Sequence, residues 1–153
     1  MNPRGPRWQL GVACAGVLLA AADTYVVVVA LPSIMAGVGL GLNQLDHATP
    51  VISGYLLGYV AVLPLLGRLS DLVGKRRVFN ACLVAFAFGS LITASSHALG
   101  VLVVGRGLAG LGGGGMVPVT LAMVAERWPV ESRGLPLGIV GAVQELGAVV
   151  GPL

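Results

Sequence analysis

Gly67-Arg68-Leu69-Ser70-Asp71-Leu72-Val73-Gly74-Lys75-Arg76-Arg77 decides how this chain is organised. It is a charged connector between two apolar runs, 48–66 and 78–96. Gly67 closes the first run and permits close approach of a neighbouring helix. Asp71 stands at the edge of an apolar region, where a cation or a helix N-terminus can pair with it. Gly74 permits a turn in a conformation costly to other residues. Lys75, Arg76 and Arg77 fix one side of a bilayer. Any multi-span membrane protein carries charged connectors. What distinguishes this one is the spacing Gly-x-Leu-x-Asp-x-x-Gly followed by basic residues.

Outward from the connector the chain is apolar. Of its 153 residues 56% are hydrophobic and 10% are charged, and the mean hydropathy is +0.93. An ordinary soluble domain carries about 25% charged residues. A soluble core of this size cannot bury so much apolar surface, so the partner for it is the lipid bilayer. A spanning helix needs about 20 mostly apolar residues. Five runs qualify: 10–31, 48–66, 78–96, 99–125 and 135–153. Helix is the open-chain conformation that satisfies its own backbone in hydrocarbon, so all five are predicted helices and the fold class is all-α integral membrane. The 24 glycines fit close helix packing. The first run follows Arg4 and Arg7 as a signal peptide would, but it is too long, contains Asp23, and is followed by further spans.

Eight of the nine Lys and Arg residues fall on one side if the runs alternate: Arg4 and Arg7, then Arg68, Lys75, Arg76 and Arg77, then Arg127 and Arg133. The opposite connections, 43–47 and 95–97, hold none. The positive-inside rule places the N-terminus in the cytoplasm. It also explains the pI near 9.3 without nucleic acid, because the basic residues are flanking anchors. Cys14 and Cys82 lie far apart within apolar runs and read as reduced thiols, with no metal-type spacing. The fifth run reaches Pro152-Leu153 with no flank, which reads as a chain cut before further spans.

The connector resembles the signature loop between the second and third helices of the major facilitator superfamily, and it falls after the second run, where that family has it. The resemblance implies the N-terminal six-helix bundle of that fold, with five transmembrane helices present. It also implies a conformational latch. Asp71 would pair with charges or a helix end of the other half of the transporter, supported by Gly67, Arg68, Gly74, Lys75 and Arg76. Three other segments agree. Asp23-Thr24-Tyr25-Val26-Val27-Val28-Val29-Ala30-Leu31-Pro32 resembles the first-helix motif of the fourteen-span drug:proton antiporters, with Val28 where that subfamily usually has asparagine. Arg106-Gly107-Leu108-Ala109-Gly110-Leu111-Gly112 resembles the fourth-helix motif. Gly147-Ala148-Val149-Val150-Gly151-Pro152 resembles the start of the fifth-helix antiporter motif. Asp23 to Val28, Tyr55-Leu56-Leu57-Gly58-Tyr59 and Gln144-Glu145-Leu146-Gly147 look most like a mycobacterial-type permease, a group that exports triacylglycerides and drugs alongside a lipoprotein.

Three ionisable residues lie inside the runs: Asp23, Arg106 and Glu145. A charge at mid-bilayer costs about 2.5–3.5 kcal/mol on insertion scales, so such residues are functional candidates. At 1.5 Å per residue Asp23 lies roughly 12 Å and Arg106 roughly 10 Å below the outer face, with Glu145 near the midplane. A carboxylate out of water holds its proton, and a nearby cation favours its release. Asp23 and Glu145 are therefore candidate proton carriers and Arg106 the residue that tunes them. The other reading is a buried ion pair that only fixes helix packing. Tyr25, Tyr55 and Tyr59 either line a substrate path or pack between helices.

Gly110 and Gly114, four apart, and the run from Gly112 to Gly115 are expected to leave one face of the fourth helix almost without side chains, with Pro118 adding a kink. Gly147 and Gly151 repeat the spacing in the fifth, and Pro152 ends its hydrogen-bond ladder. The expected function is proton-coupled efflux of drug-like or lipid-like hydrophobic compounds by alternating access at the cell membrane. No cofactor is expected beyond the proton gradient, and the expected partners are the bilayer, a hydrophobic substrate and a lipoprotein. The alternatives are a facilitator or importer of a small solute and a non-transporting scaffold. An enzyme is not expected, because no nucleophile–base pair, metal cluster or phosphate loop is present in the sequence; Gly112 to Gly115 lacks the Gly-Lys-Ser/Thr that a phosphate loop needs.

Overall fold

A computed structural model describes the backbone of residues 5–37, 45–96 and 98–152. The described residues form five helices: α1 Gly5–Gly37, α2 Leu45–Val73, α3 Lys75–Ala94, α4 Leu99–Arg127 and α5 Gly134–Val150. The described residues contain no strand. The first four helices are long and apolar enough to cross a membrane, and α5 is a shorter apolar helix of 17 residues. Large apolar side chains such as Leu57, Leu65, Phe88, Leu91 and Val104 are exposed, as a bilayer solvent requires.

The helices are longer than the apolar runs. α1 continues through Pro32 to Gly37, because proline is tolerated in a transmembrane helix where neighbouring groups satisfy the freed carbonyl. Pro50 and Pro64 lie inside α2, and Pro118 inside α4, in the same way. The expected outer connection at 43–47 is corrected: α2 already begins at Leu45. Residues 43, 44 and 97 lie outside the described residues. Pro152 follows α5, whose C-cap is Gly151.

The connector is also corrected. Residues 67–73 are the last two turns of α2, and the break is Gly74 alone. Its φ is 102°, the only positive φ among the described residues. Its N–H donates to Ser70 O at 3.1 Å to finish α2, and its own carbonyl accepts from Arg77 and Val78 to start α3. A residue with a Cβ is strained in that conformation, which explains glycine here. Among the described residues nothing lies within 4 Å of where a Gly67 Cβ would be.

α4 sits at the centre, flanked by α2 and α3 and touched by α1 and α5, while α5 lies mainly along α1. Gly110 and Gly112 to Gly115 are buried, but they do not form one bare face as expected. Successive helical residues turn by about 100°, so four in a row point around the whole circumference. A Cβ on Gly110 or Gly114 would strike the backbone of Tyr55 or Tyr59 on α2. On Gly112 it would strike Cys82 O and Phe86 N on α3, and on Gly113 it would lie 2.8 Å from the Tyr55 hydroxyl. The central helix is stripped on three sides because it has neighbours on three sides. Gly147 and Gly151 seat α5 on α1 in the expected way, with Leu18 O 2.7 Å from a Cβ on the first and Ala22 O 2.6 Å from one on the second. Cys14 and Cys82 are both free and buried.

Candidate functional site

The contacts of α1 and α4 bring Asp23 and Arg106 together. Arg106 Nη1 donates to Asp23 Oδ2 at 2.6 Å. Arg106 is 2% exposed and the Asp23 side chain 23%. Asp23 lies 18 residues after Gly5 and 14 before Gly37, near the middle of α1. The guanidinium stacks on the Tyr55 ring with its carbon 4.4 Å from the ring centroid, a cation–π contact strengthened by exclusion of water. Arg106 Nε has no hydrogen-bond partner among the described residues. The arginine is thus held by one carboxylate oxygen and one aromatic face.

Tyr55 links this pair to a cavity. Its hydroxyl donates to Ala20 O at 3.3 Å, and Tyr59 lies one turn on with the ring centroids 6.1 Å apart. Both tyrosines line a cavity of about 190 Å³ where α1, α2, α4 and α5 meet. Thr24 and Tyr25 line it from α1, and Gln144 and Glu145 from α5. Thr24 Oγ1 donates to Ala20 O at 3.0 Å. Glu145 does not join the ion pair. It is exposed on the opposite wall, with no cationic partner among the described residues.

Of the three tyrosines left open by the sequence, Tyr55 both packs and lines the cavity. Its stacking on Arg106 had no signal in the sequence, because it depends on how α2 is rotated against α4. Gln144 was visible only as the residue beside Glu145.

At the other end of the bundle, Lys75 Nζ lies 3.0 Å from Asp71 Oδ1 and 3.2 Å from Glu126 Oε2. The lysine ties the end of α2 and the start of α3 to the end of α4. Within this chain Asp71 is thus paired with Lys75. Arg68 and Arg76 are exposed. Gly107 lies 3.7 Å, measured from its Cβ position, from Gly54 O, so it belongs to the α2–α4 packing.

Residues 13–153 match the model of the Major Facilitator Superfamily. The chain is 49% identical over 154 residues to a triacylglyceride transporter of Mycolicibacterium smegmatis, covering 100% of this chain and 28% of that protein. It is 49% identical over 144 residues to a triacylglyceride transporter of Mycobacteroides abscessus, covering 94% and 28% of the two chains. It is 43% identical over 152 residues to one of Mycobacterium tuberculosis, covering 97% and 29%. The chain therefore spans less than a third of the length of these curated relatives. A match over nearly its whole length, on an all-helical bundle with buried charges and backbone-close glycines, makes this chain a multi-pass membrane protein of the Major Facilitator Superfamily.

Proposed function

We propose that the whole protein is a proton-coupled antiporter that exports lipid-like or drug-like hydrophobic compounds across the cell membrane by alternating access. The observation that carries this reading is the 2.6 Å Asp23–Arg106 pair set behind Tyr55, with unpaired Glu145 across the cavity. Protonation of Asp23 removes the charge that holds Arg106 and leaves the guanidinium on the Tyr55 ring. Tyr55 is a wall of the cavity, so the change at the pair reaches the substrate side. Glu145 supplies the second protonatable group on the facing wall.

The relatives' printed names support a triacylglyceride-like substrate. The resemblance to exporters of drugs and lipids adds the lipoprotein partner and the multidrug range. The basic residues 68, 75–77, 127 and 133 support a cytoplasmic N-terminus by the positive-inside rule, and the Lys75–Asp71 and Lys75–Glu126 pairs support a latch on that side.

In the full-length protein Glu145→Gln abolishes export of a lipophilic dye driven by an imposed proton gradient. It leaves expression and melting temperature unchanged, because Glu145 is exposed and unpaired. Wild-type export by the variant removes Glu145 from the mechanism.

A further inference from the structure

Two cavities adjoin at the Gly74 end of the bundle, away from the one described above. The first is an apolar groove of about 530 Å³ between α2 and α3, floored by Leu66, Val78 and Cys82 and bordered by Leu69 and Leu111. The second, of about 360 Å³, is lined by Lys75, Arg76, Arg77 and Arg127 around Gly74, with Glu126, which pairs with Lys75, as the one acidic residue among its lining. Val73 and Arg77 line both. Neither shares a lining residue with the cavity at Tyr55.

The charges in the second cavity are unequally used. Lys75 is engaged by Asp71 and Glu126. Arg76, Arg77 and Arg127 are exposed and have no acidic partner among the described residues. α3 starts here with no side-chain cap, so its first amides add to the positive potential. The groove has the matching depth. It follows α2 from Val73 to Val62, roughly 16 Å at 1.5 Å per residue. One leaflet of a hydrocarbon core about 30 Å thick has roughly that depth.

An apolar slot one leaflet deep, opening at its polar end onto three uncommitted arginines, has the shape and charge of a lipid. We propose that this surface binds one anionic glycerophospholipid, its phosphate among Arg76, Arg77 and Arg127 and one acyl chain in the α2–α3 groove. The lipid bridges the Gly74 break, so it braces the joint between α2 and α3 and is not cargo of the central cavity. Which leaflet supplies it rests on the orientation proposed above; the binding does not.

The test is the thermal unfolding of the full-length protein in neutral detergent, titrated with phosphatidylglycerol, phosphatidylcholine or inorganic phosphate. Phosphatidylglycerol raises the unfolding temperature saturably, and the other two do not. Arg77→Gln weakens the apparent affinity about fivefold and Arg77→Gln with Arg127→Gln about 30-fold. Ala81→Trp, which fills the exposed wall of the groove, removes the response. If that variant does not fold, the arginine variants decide, since they alter only exposed side chains. The proposal is overturned by an equal response to phosphatidylcholine, by phosphate alone reproducing the shift, or by an unchanged response in the double variant. It is also overturned by no response in the wild type, the result expected if another helix or a second copy fills the groove.

Discussion

Arg106→Ala destabilises the full-length protein by about 3 kcal/mol, because breaking a buried pair from one side leaves the other charge uncompensated. The expected value sits at the low end of the usual range because the Asp23 side chain keeps 23% of its exposure. The Tyr55 ring also loses its stacked cation. The measurement is the shift in thermal or denaturant midpoint in detergent, alongside export in cells. Arg106→Lys keeps the charge but loses the planar group, so it recovers part of the stability and little of the export. The double variant Arg106→Gln with Asp23→Asn removes both charges. It is more stable than Arg106→Ala, since no buried charge remains, yet it does not export. Stability and transport therefore separate. If the double variant exported normally, the pair would be a packing device.

Gly110→Leu and Gly114→Leu prevent the protein from folding. Overpacking a core costs about 1–3 kcal/mol where side chains can shift. Here the atoms in the way are the backbones of Tyr55 and Tyr59, which move only if α2 separates from α4. That separation uncovers the Arg106–Tyr55 contact as well. The expected cost is above that range, and the measurement is the yield of monodisperse protein on size exclusion. Gly138→Leu on α5 is the control. Nothing lies within 4 Å of its Cβ position, so the variant should behave as wild type. Equal yields from Gly114→Leu and Gly138→Leu would contradict the close approach of α2 to α4.

Much of the fold was legible because the bilayer forces it. Runs of apolar residues long enough to cross must be helical, so helices at 10–31, 48–66, 78–96, 99–125 and 135–153 were expected in that order; α5, with 17 residues, is shorter than its run. The ends were less legible. Hydropathy falls off where a helix leaves the hydrocarbon, but the helix continues, which is why α1 passes Pro32 and α2 runs through Asp71 to Val73. Gly74 was legible as a turn because only glycine is unstrained at φ 102°. Helix rotation was not legible. Nothing in the spacing of Asp23, Arg106 and Glu145 says that the first two touch at 2.6 Å while the third faces the cavity alone. The same blindness made the α4 glycines read as one face when they serve three neighbours. Rotation is set by which small residues lie against which backbones, and that is a property of helix pairs.

Asp23 is the group proposed to carry the proton. Its most direct test is proton flux in proteoliposomes of the full-length protein, followed with a pH-sensitive dye as a lipophilic substrate is added without any imposed gradient. The wild type moves protons in response to substrate. Asp23→Asn binds the same substrate with similar affinity and moves none. Substrate-driven proton movement in Asp23→Asn at the wild-type rate would contradict the account.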